Sequence, residues 1–303
     1  MSTIEQAIAR LRALRSAGVE VAAPAEAPRT DRPAAAAATE WVAPTLAAID
    51  LPRLQAMGLI TPDAPRARIA DEFRVIKRPV IDNARGRGAS RIRNGNLVMV
   101  TSALPGEGKS FSAVNLAMSL AQEQDTTVLL VDADVARPSI MRMFGLPPAR
   151  GLMDVLAGEA TVGEVLAKTN VDKLTLIPAG MPHERATEML ASANMRAVLD
   201  EIASRYEDRI VIFDSPPLLS TTEARVLASH MGQVLLVVEA MRTPAASVRA
   251  ALATIAACPV KLTMLNKGTL PALGGYGVYG AYGGYGAYGR GGASGAYGHG
   301  APL

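Results

Sequence analysis

Residues 102–110 read Ser-Ala-Leu-Pro-Gly-Glu-Gly-Lys-Ser and follow the apolar run Leu97–Val100. Glycine at 106 and 108 lets a backbone approach a phosphate closely, and the N–H groups of the loop and of a following helix then point at the anion. In that setting Lys109 reaches the β- and γ-phosphates and Ser110 offers its hydroxyl to Mg²⁺. Ala103 stands where the general pattern has its first glycine, so the strand–loop–helix context carries the reading as much as the letters do. Val128-Leu-Leu-Val-Asp132-Ala-Asp134 places two carboxylates two residues apart at the end of an apolar run. One can orient or deprotonate an incoming hydroxyl while the other serves the metal. Ile210-Val-Ile-Phe-Asp214 ends a third run in an acid, as a carboxylate that holds the Mg²⁺ shell requires. Each signal has a bland counterpart, a chance Gly-Lys-Ser turn or a solvated strand end. The three together predict an ATPase or kinase site with ATP and Mg²⁺ as cofactors.

Positioning these residues takes alternating strands and helices. Strands are predicted over Leu97–Ser102, Val128–Asp132, Leu174–Pro178, Ile210–Asp214, Val234–Glu239 and Leu262–Asn266, all short continuous apolar runs of the kind covered on both faces. Helical patterns lie between them at Ser110–Gln122, Met195–Tyr206, Glu223–Ser229 and Ala245–Ala257. The alternation predicts a three-layer α/β/α fold of the P-loop NTPase type with a mostly parallel sheet, whose ligands sit at the carboxyl ends of the strands. All three motifs fall there.

Outside this block the composition shifts. Residues 1–17 read as an amphipathic helix, with Ile4, Ala7, Ile8, Leu11 and Leu14 on one stripe, fit to pack on its own protein or on a partner or membrane surface. Residues 18–45 are an Ala/Pro-rich linker, with Trp41 near its end. Residues 46–95 form a helical N-terminal extension, 96–268 the nucleotide-binding domain, and 269–303 a Gly/Tyr-rich tail in which nothing can build a core. Arg85, Arg87, Arg91 and Arg93 share a glycine-containing loop that is either a solvated connection or a phosphate or subunit contact.

Composition excludes several classes. The single cysteine, Cys258, rules out a disulfide framework and a multi-cysteine metal site, and it reads as a small core residue. His183 and His230 lack a second ligand at metal spacing. A net charge of +3 gives no reason to expect nucleic acid. No apolar run reaches the ~18 residues needed to cross a bilayer, and residues 1–15 lack a secretory apolar core. The expected location is the cytoplasm, with any contact to the inner membrane made through a partner.

The loop, Asp132-x-Asp134-x-x-Arg137 and Asp214-Ser-Pro-Pro217 resemble the bacterial tyrosine kinases (BY-kinases) of polysaccharide export, in the MinD/ParA-like branch of P-loop proteins. Gly151-Leu-Met-Asp-Val-Leu-Ala-Gly158 and Asn266 extend the resemblance, which covers about Ala70 to Asn266 and the tail. It implies an ATP-dependent tyrosine autokinase regulating exopolysaccharide chain length and export. Lys109, Asp132, Asp134 and Asp214 would be catalytic, with Asp132 activating the acceptor. Gly106, Glu107, Gly108, Lys109, Ser110, Phe111 and Asn266 would bind the nucleotide, Asn266 facing the adenine; Ser110, Asp134 and Asp214 would serve the metal. The family's acid-x-x-Arg-x-x-Arg helix, which contacts the next subunit of a ring, has its counterpart here in Asp71-x-x-Arg74-x-x-Lys77, and lysine lacks the arginine fork. The implied partners are a transmembrane polysaccharide co-polymerase, further copies of the chain and a cognate tyrosine phosphatase. The segments 72–79 and 180–192 resemble the subgroup associated with exosortase (PEP-CTERM) loci.

Six of the seven tyrosines, Tyr276, Tyr279, Tyr282, Tyr285, Tyr288 and Tyr297, lie in the tail, the first five at every third residue. Glycine between them suits a segment that must enter an active site, so these are the expected autophosphorylation sites. The bland counterpart is a low-complexity tail that is never phosphorylated. About 30 flexible residues span roughly 30 Å, which allows transfer within a chain or between chains. Two other readings compete: a ParA/MinD-type ATPase switch, whose loop carries a lysine where this chain has Leu104, and an ATP-binding assembly adaptor without kinase activity.

Overall fold

The computed structural model describes residues 46–63, 68–87, 92–204 and 209–268. The expected N-terminal helix and linker, Trp41, Arg91 and the tail with its tyrosines lie outside the described residues.

Two helices, α1 (Leu51–Ala56) and α2 (Arg68–Ala84), precede a seven-stranded sheet. Its strands are β1 (Leu97–Ser102), β2 (Thr127–Asp132), β3 (Ala167–Lys168), β4 (Leu174–Ile177), β5 (Arg209–Asp214), β6 (Gln233–Glu239) and β7 (Val260–Asn266), in the order β3-β4-β2-β5-β1-β6-β7. All pairings are parallel except the short β3–β4 ladder. Between the strands run α3 (Lys109–Ala121), α4 (Ile140–Met143), α5 (Leu152–Leu156), α6 (Val162–Val165), α7 (Ala186–Leu190), α8 (Ala193–Ser204), α9 (Thr222–Ala228) and α10 (Ala245–Thr254).

Every residue of β1 is buried, because the strand feeds two cores at once. Leu97 and Met99 join Leu129, Val131, Phe213 and the inner sides of α5, α8 and α9. Val98 and Val100 join Leu130, Ile212, Leu235 and the inner sides of α1, α2 and α3. Two-sided burial is what turned these strands into unbroken apolar runs. The edge strand β7 departs from that expectation. Its residues alternate between half-buried and exposed, with Leu262 and Met264 on the α3 side and Lys261, Thr263 and Leu265 open to solvent.

The stretch 46–84 is built into the sheet's own packing. Ala47 donates its N–H to the Lys168 carbonyl at 2.7 Å, and Ile60 donates to Asn115 Oδ1 of α3 at 2.8 Å. On α2, Phe73, Lys77, Val80 and Ile81 form the buried stripe at helical spacing. Lys77 therefore turns inward: its ammonium donates to the Ser119 carbonyl at 2.7 Å and pairs with Glu123 at 2.7 Å. That corrects the view of Lys77 as the third member of a subunit-contact triplet. Asp71 and Arg74 remain exposed and pair with each other. Arg85 donates to the Asp125 carbonyl at 2.8 Å and to Thr126 Oγ1 at 2.9 Å, at the amino end of β2, so it braces the fold at the end opposite the phosphate loop.

Candidate active site

The loop after β1 carries positive φ at Gly106 (85°) and Gly108 (94°), and Gly108 is the residue that opens α3. A Cβ on Gly108 would lie 2.0 Å from Asn266 Nδ2, so glycine is needed there for conformation and for space. The thirteen-residue α3 presents its positive end to this loop.

Groups at or just after the ends of β5, β6 and β7 hold the loop. The Glu107 carboxylate is buried: it accepts the Leu104 N–H at 2.6 Å and the Thr243 hydroxyl. Asn266, at the end of β7, donates to the Glu107 carbonyl at 2.9 Å. Lys267 donates to the Gly106 carbonyl at 2.7 Å and pairs with Glu239 at 3.1 Å. Leu218 and Leu219, after β5, donate to the Ser102 and Ala103 carbonyls. The loop is fixed from both sides before any ligand arrives. Glu107 and Asn266, expected at the nucleotide, lie at the loop, with the carboxylate of Glu107 and an amide proton of Asn266 engaged in bracing it.

The three aspartates converge on Lys109. Asp132 and Asp214 are register partners on adjacent strands, and both are fully buried. The Lys109 ammonium lies 2.5 Å from Asp134 Oδ2 and 3.8 Å from Asp214 Oδ1, and donates to Ser110 Oγ at 3.4 Å. Burial works against its charge, but Asp214 and Asp134, helped by Asp132, outweigh it and hold its pKa above the ordinary lysine value. Asp134 also accepts the Arg137 N–H at 3.2 Å. Asp132 turns one oxygen to the start of α4, where it accepts the Ser139 and Ile140 N–H groups at 2.9 and 3.0 Å. Its other oxygen is buried without a hydrogen-bond partner; the oxygens of Asp214 make no hydrogen bond of good geometry, but the Lys109 ammonium and the Ser110 and Ser139 hydroxyls lie near enough to favour its charge. Burial first, and then the Asp214 charge, push the Asp132 pKa up to about 7. Burial raises Asp214 to about 6 against the opposing pull of Lys109.

Orphaned carboxylate oxygens facing a single ammonium make a site short of positive charge. The donor chemistry fits Mg²⁺, a hard cation that binds through one or two carboxylates, a hydroxyl, waters and substrate phosphates. Ser110 and Asp214 would hold it, with Asp134 joining once Lys109 turns to a phosphate. Among the described residues no three His, Cys, Asp or Glu side chains form an all-protein metal cage, so such an ion would share its ligands with phosphate and water.

Ser139, Thr243 and Lys267 were missed by sequence reasoning, as was the bracing role of Glu239. Ser139 had one local signal, its position ahead of Ile140 and just after Arg137-Pro138. The other residues reach the loop from 132 or more positions away. Leu104, half-buried, spends its carbonyl on the Ser102 hydroxyl at 2.7 Å. Phe111 is partly buried against the α2–α3 core. Cys258 is buried, and His183 accepts the Arg185 N–H at 3.0 Å.

Residues 96–263 match the family model described as an AAA domain. The chain is 31% identical to the tyrosine-protein kinase YwqD of Bacillus subtilis over 217 residues, which is 71% of this chain and 88% of YwqD. It is 33% identical to the succinoglycan biosynthesis transport protein ExoP of Rhizobium meliloti over 73% of its own length, but spans only 28% of ExoP. Among solved structures, the kinase domain of the Escherichia coli tyrosine kinase ETK superposes with a TM-score of 0.54 at 28% identity, covering 60% of this chain and 71% of that one. A match running across most of a compact kinase is too extensive for a chance Gly-Lys-Ser turn, and the chain belongs to the bacterial tyrosine kinases of the P-loop class.

Proposed function

We propose that the chain is an ATP-dependent protein tyrosine kinase that phosphorylates its own tail tyrosines and so regulates exopolysaccharide assembly and export. The observation that carries this reading is the pairing of an unpartnered, buried Asp132 oxygen with the Lys109-centred phosphate site. An ATPase switch needs only to position water. Here a buried carboxylate with one oxygen free of hydrogen bonds stands at the phosphate site, placed to accept the proton of a phenol. In the transfer, the tyrosine hydroxyl gives its proton to Asp132 and its oxygen bonds to the γ-phosphorus. The bond from that phosphorus to the bridging oxygen breaks, and its electron pair leaves with ADP. Lys109 and the loop N–H groups stabilise charge on the phosphoryl oxygens. Ser110 and Asp214 would hold a magnesium ion, which would supply positive charge to the phosphates.

The resemblance to YwqD supports tyrosine as the acceptor, and the name of ExoP supports a place in polysaccharide biosynthesis and transport. No helix among the described residues is long and apolar enough to cross a membrane. A transmembrane co-polymerase would accordingly supply the tie to the inner membrane, copies of the chain would form a ring, and a phosphatase would reset the tail. The segments 72–79 and 180–192 support a place in the exosortase-associated subgroup. The partition-ATPase alternative loses support at Leu104.

The test compares the full chain with a chain ending at Thr269, each given ATP and Mg²⁺ together with the partner's cytoplasmic segment, and reads phosphotyrosine. Label in the full chain and its loss from the shortened one is the expected result. Absence of label from the full chain would leave the ATP-binding adaptor as the better reading; label that survives truncation would sink the tail as acceptor.

A further inference from the structure

Beside the phosphate site lies a groove of about 440 Å³ that no step above uses. Arg53 of α1, Met141 and Arg142 of α4, Leu146 after it, and Pro138 and Pro178 at the ends of its walls line it. It opens where the chain leaves β2 and β4, the edge of the sheet at which Asp132, Asp134 and Asp214 sit. The stretch 138–142 is at once the groove wall and the mount for Asp132, because the Ser139 and Ile140 N–H groups hold that carboxylate. The walls are apolar. Arg53 and Arg142 are exposed, and neither guanidinium has a hydrogen-bond or ion-pair partner among the described residues.

An apolar slot beneath two unpaired guanidinium groups suits an aromatic ring that carries an anion. The ring packs on the proline and methionine walls, and the arginine forks bind phosphate oxygens in pairs. We propose that this groove is a phosphotyrosine subsite for the chain's own tail: it holds a tyrosine already phosphorylated while another of the repeat meets Asp132. The proposal rests on the kinase reading above and deepens it.

Three features of the sequence favour the tail as occupant. Residues 269–303 contain no Asp or Glu, so the only strongly anionic side chain the tail can bring is one it has phosphorylated. Tyr276, Tyr279, Tyr282, Tyr285 and Tyr288 recur every third residue, which in an extended chain is a step of ~10 Å. A tyrosine seated in the groove thereby offers its neighbours to a base mounted on the groove's own wall. Reach is sufficient as well. The tail leaves from the end of β7, and crossing the sheet to β2 and β4 at ~4.8 Å per strand takes roughly 20–25 Å. The eight residues from Gly268 to Tyr276 extend to ~27 Å, and every later tyrosine reaches farther.

Two measurements on the full chain test this. In the first, without ATP, a labelled peptide of residues 274–290 phosphorylated at Tyr282 is titrated against the full chain, alongside its unphosphorylated twin. The phosphopeptide is expected to bind at least ~10-fold more tightly, as charge-assisted hydrogen bonds to a phosphate would give. The preference should shrink with added salt and disappear in the Arg53→Ala, Arg142→Ala double variant. Equal affinity of the two peptides for the wild-type chain, or an undiminished preference in the variant, would overturn the proposal. In the second, intact-mass spectrometry follows phosphates per chain with time under ATP and Mg²⁺ together with the partner's cytoplasmic segment. The wild type should pass quickly from no phosphate to several, whereas the double variant accumulates singly phosphorylated chain; identical distributions would count against the subsite. Failure of the wild type to gain any phosphate would instead strike the kinase reading, and the peptide titration would still decide the groove.

Discussion

Replacing Lys109 by Met is expected to lower the rate of phosphotyrosine formation by ~10²–10³-fold at saturating ATP, the usual cost of losing one preorganised charge donor to the transition state. Two features of the site set that size. Among the described residues the ammonium is the only cation paired with the buried aspartates, 2.5 Å from Asp134 and 3.8 Å from Asp214. It is also only 13% exposed, so water would replace its charge poorly. Lys109→Arg should rescue little, because a planar fork cannot occupy the point between Asp134, Asp214 and Ser110 that a compact ammonium fills. The measurement is initial-rate labelling of the three proteins beside their nucleotide affinities. A Lys109→Met variant that keeps more than a tenth of wild-type transfer would show that the loop lysine does not carry the chemistry.

The second large effect is on stability, and its sign is opposite to its effect on activity. In the folded chain Asp132 and Asp214 bind protons up to about pH 7 and about pH 6, whereas in the unfolded chain both release them near the ordinary aspartate value. Between those limits the folded state holds more protons, so stability must fall as pH rises. The contribution is fully present below pH ~4 and is lost through pH 6–7. With both groups buried, the effect is expected to move the melting temperature by several degrees. Without nucleotide, the melting temperature is expected to fall between pH 5 and pH 8. Asp214→Asn should flatten that slope and raise the melting temperature at pH 8, while abolishing transfer. Saturating Mg²⁺ and nucleotide should also flatten it, because a bound cation favours the ionised acids. A melting temperature that rises over this range in the free protein would contradict the account of these acids as strained by burial.

Much of this site was legible before any coordinates. Strand ends at Ser102, Asp132 and Asp214 follow from apolar runs, because strands covered on both faces stay apolar until they near the edge where the ligand binds. The same reasoning misjudged β7, where an edge strand loses one covering layer and alternates instead. The two-residue β3 carries no pattern at all. What could not be read were contacts made across the sequence. Glu107 meets Thr243 across 136 positions, and Lys267 meets Gly106 across 161, and only the fold brings them together. Lys77 is different, since its burial did have a signal. It lies four residues after Phe73 and three before Val80, on the apolar stripe of α2, and the stripe outweighed the motif.

The central claim is that the γ-phosphate goes to tail tyrosines and not to water. The most direct measurement counts both products in one reaction: full chain, ATP and Mg²⁺ with the partner's cytoplasmic segment, followed by mass-spectrometric mapping of phosphotyrosine and by assay of free phosphate. The account predicts phosphate on several of Tyr276, Tyr279, Tyr282, Tyr285, Tyr288 and Tyr297, in an amount exceeding the free phosphate released. Free phosphate with an unmodified tail would contradict it, and would make the chain a nucleotide-driven switch.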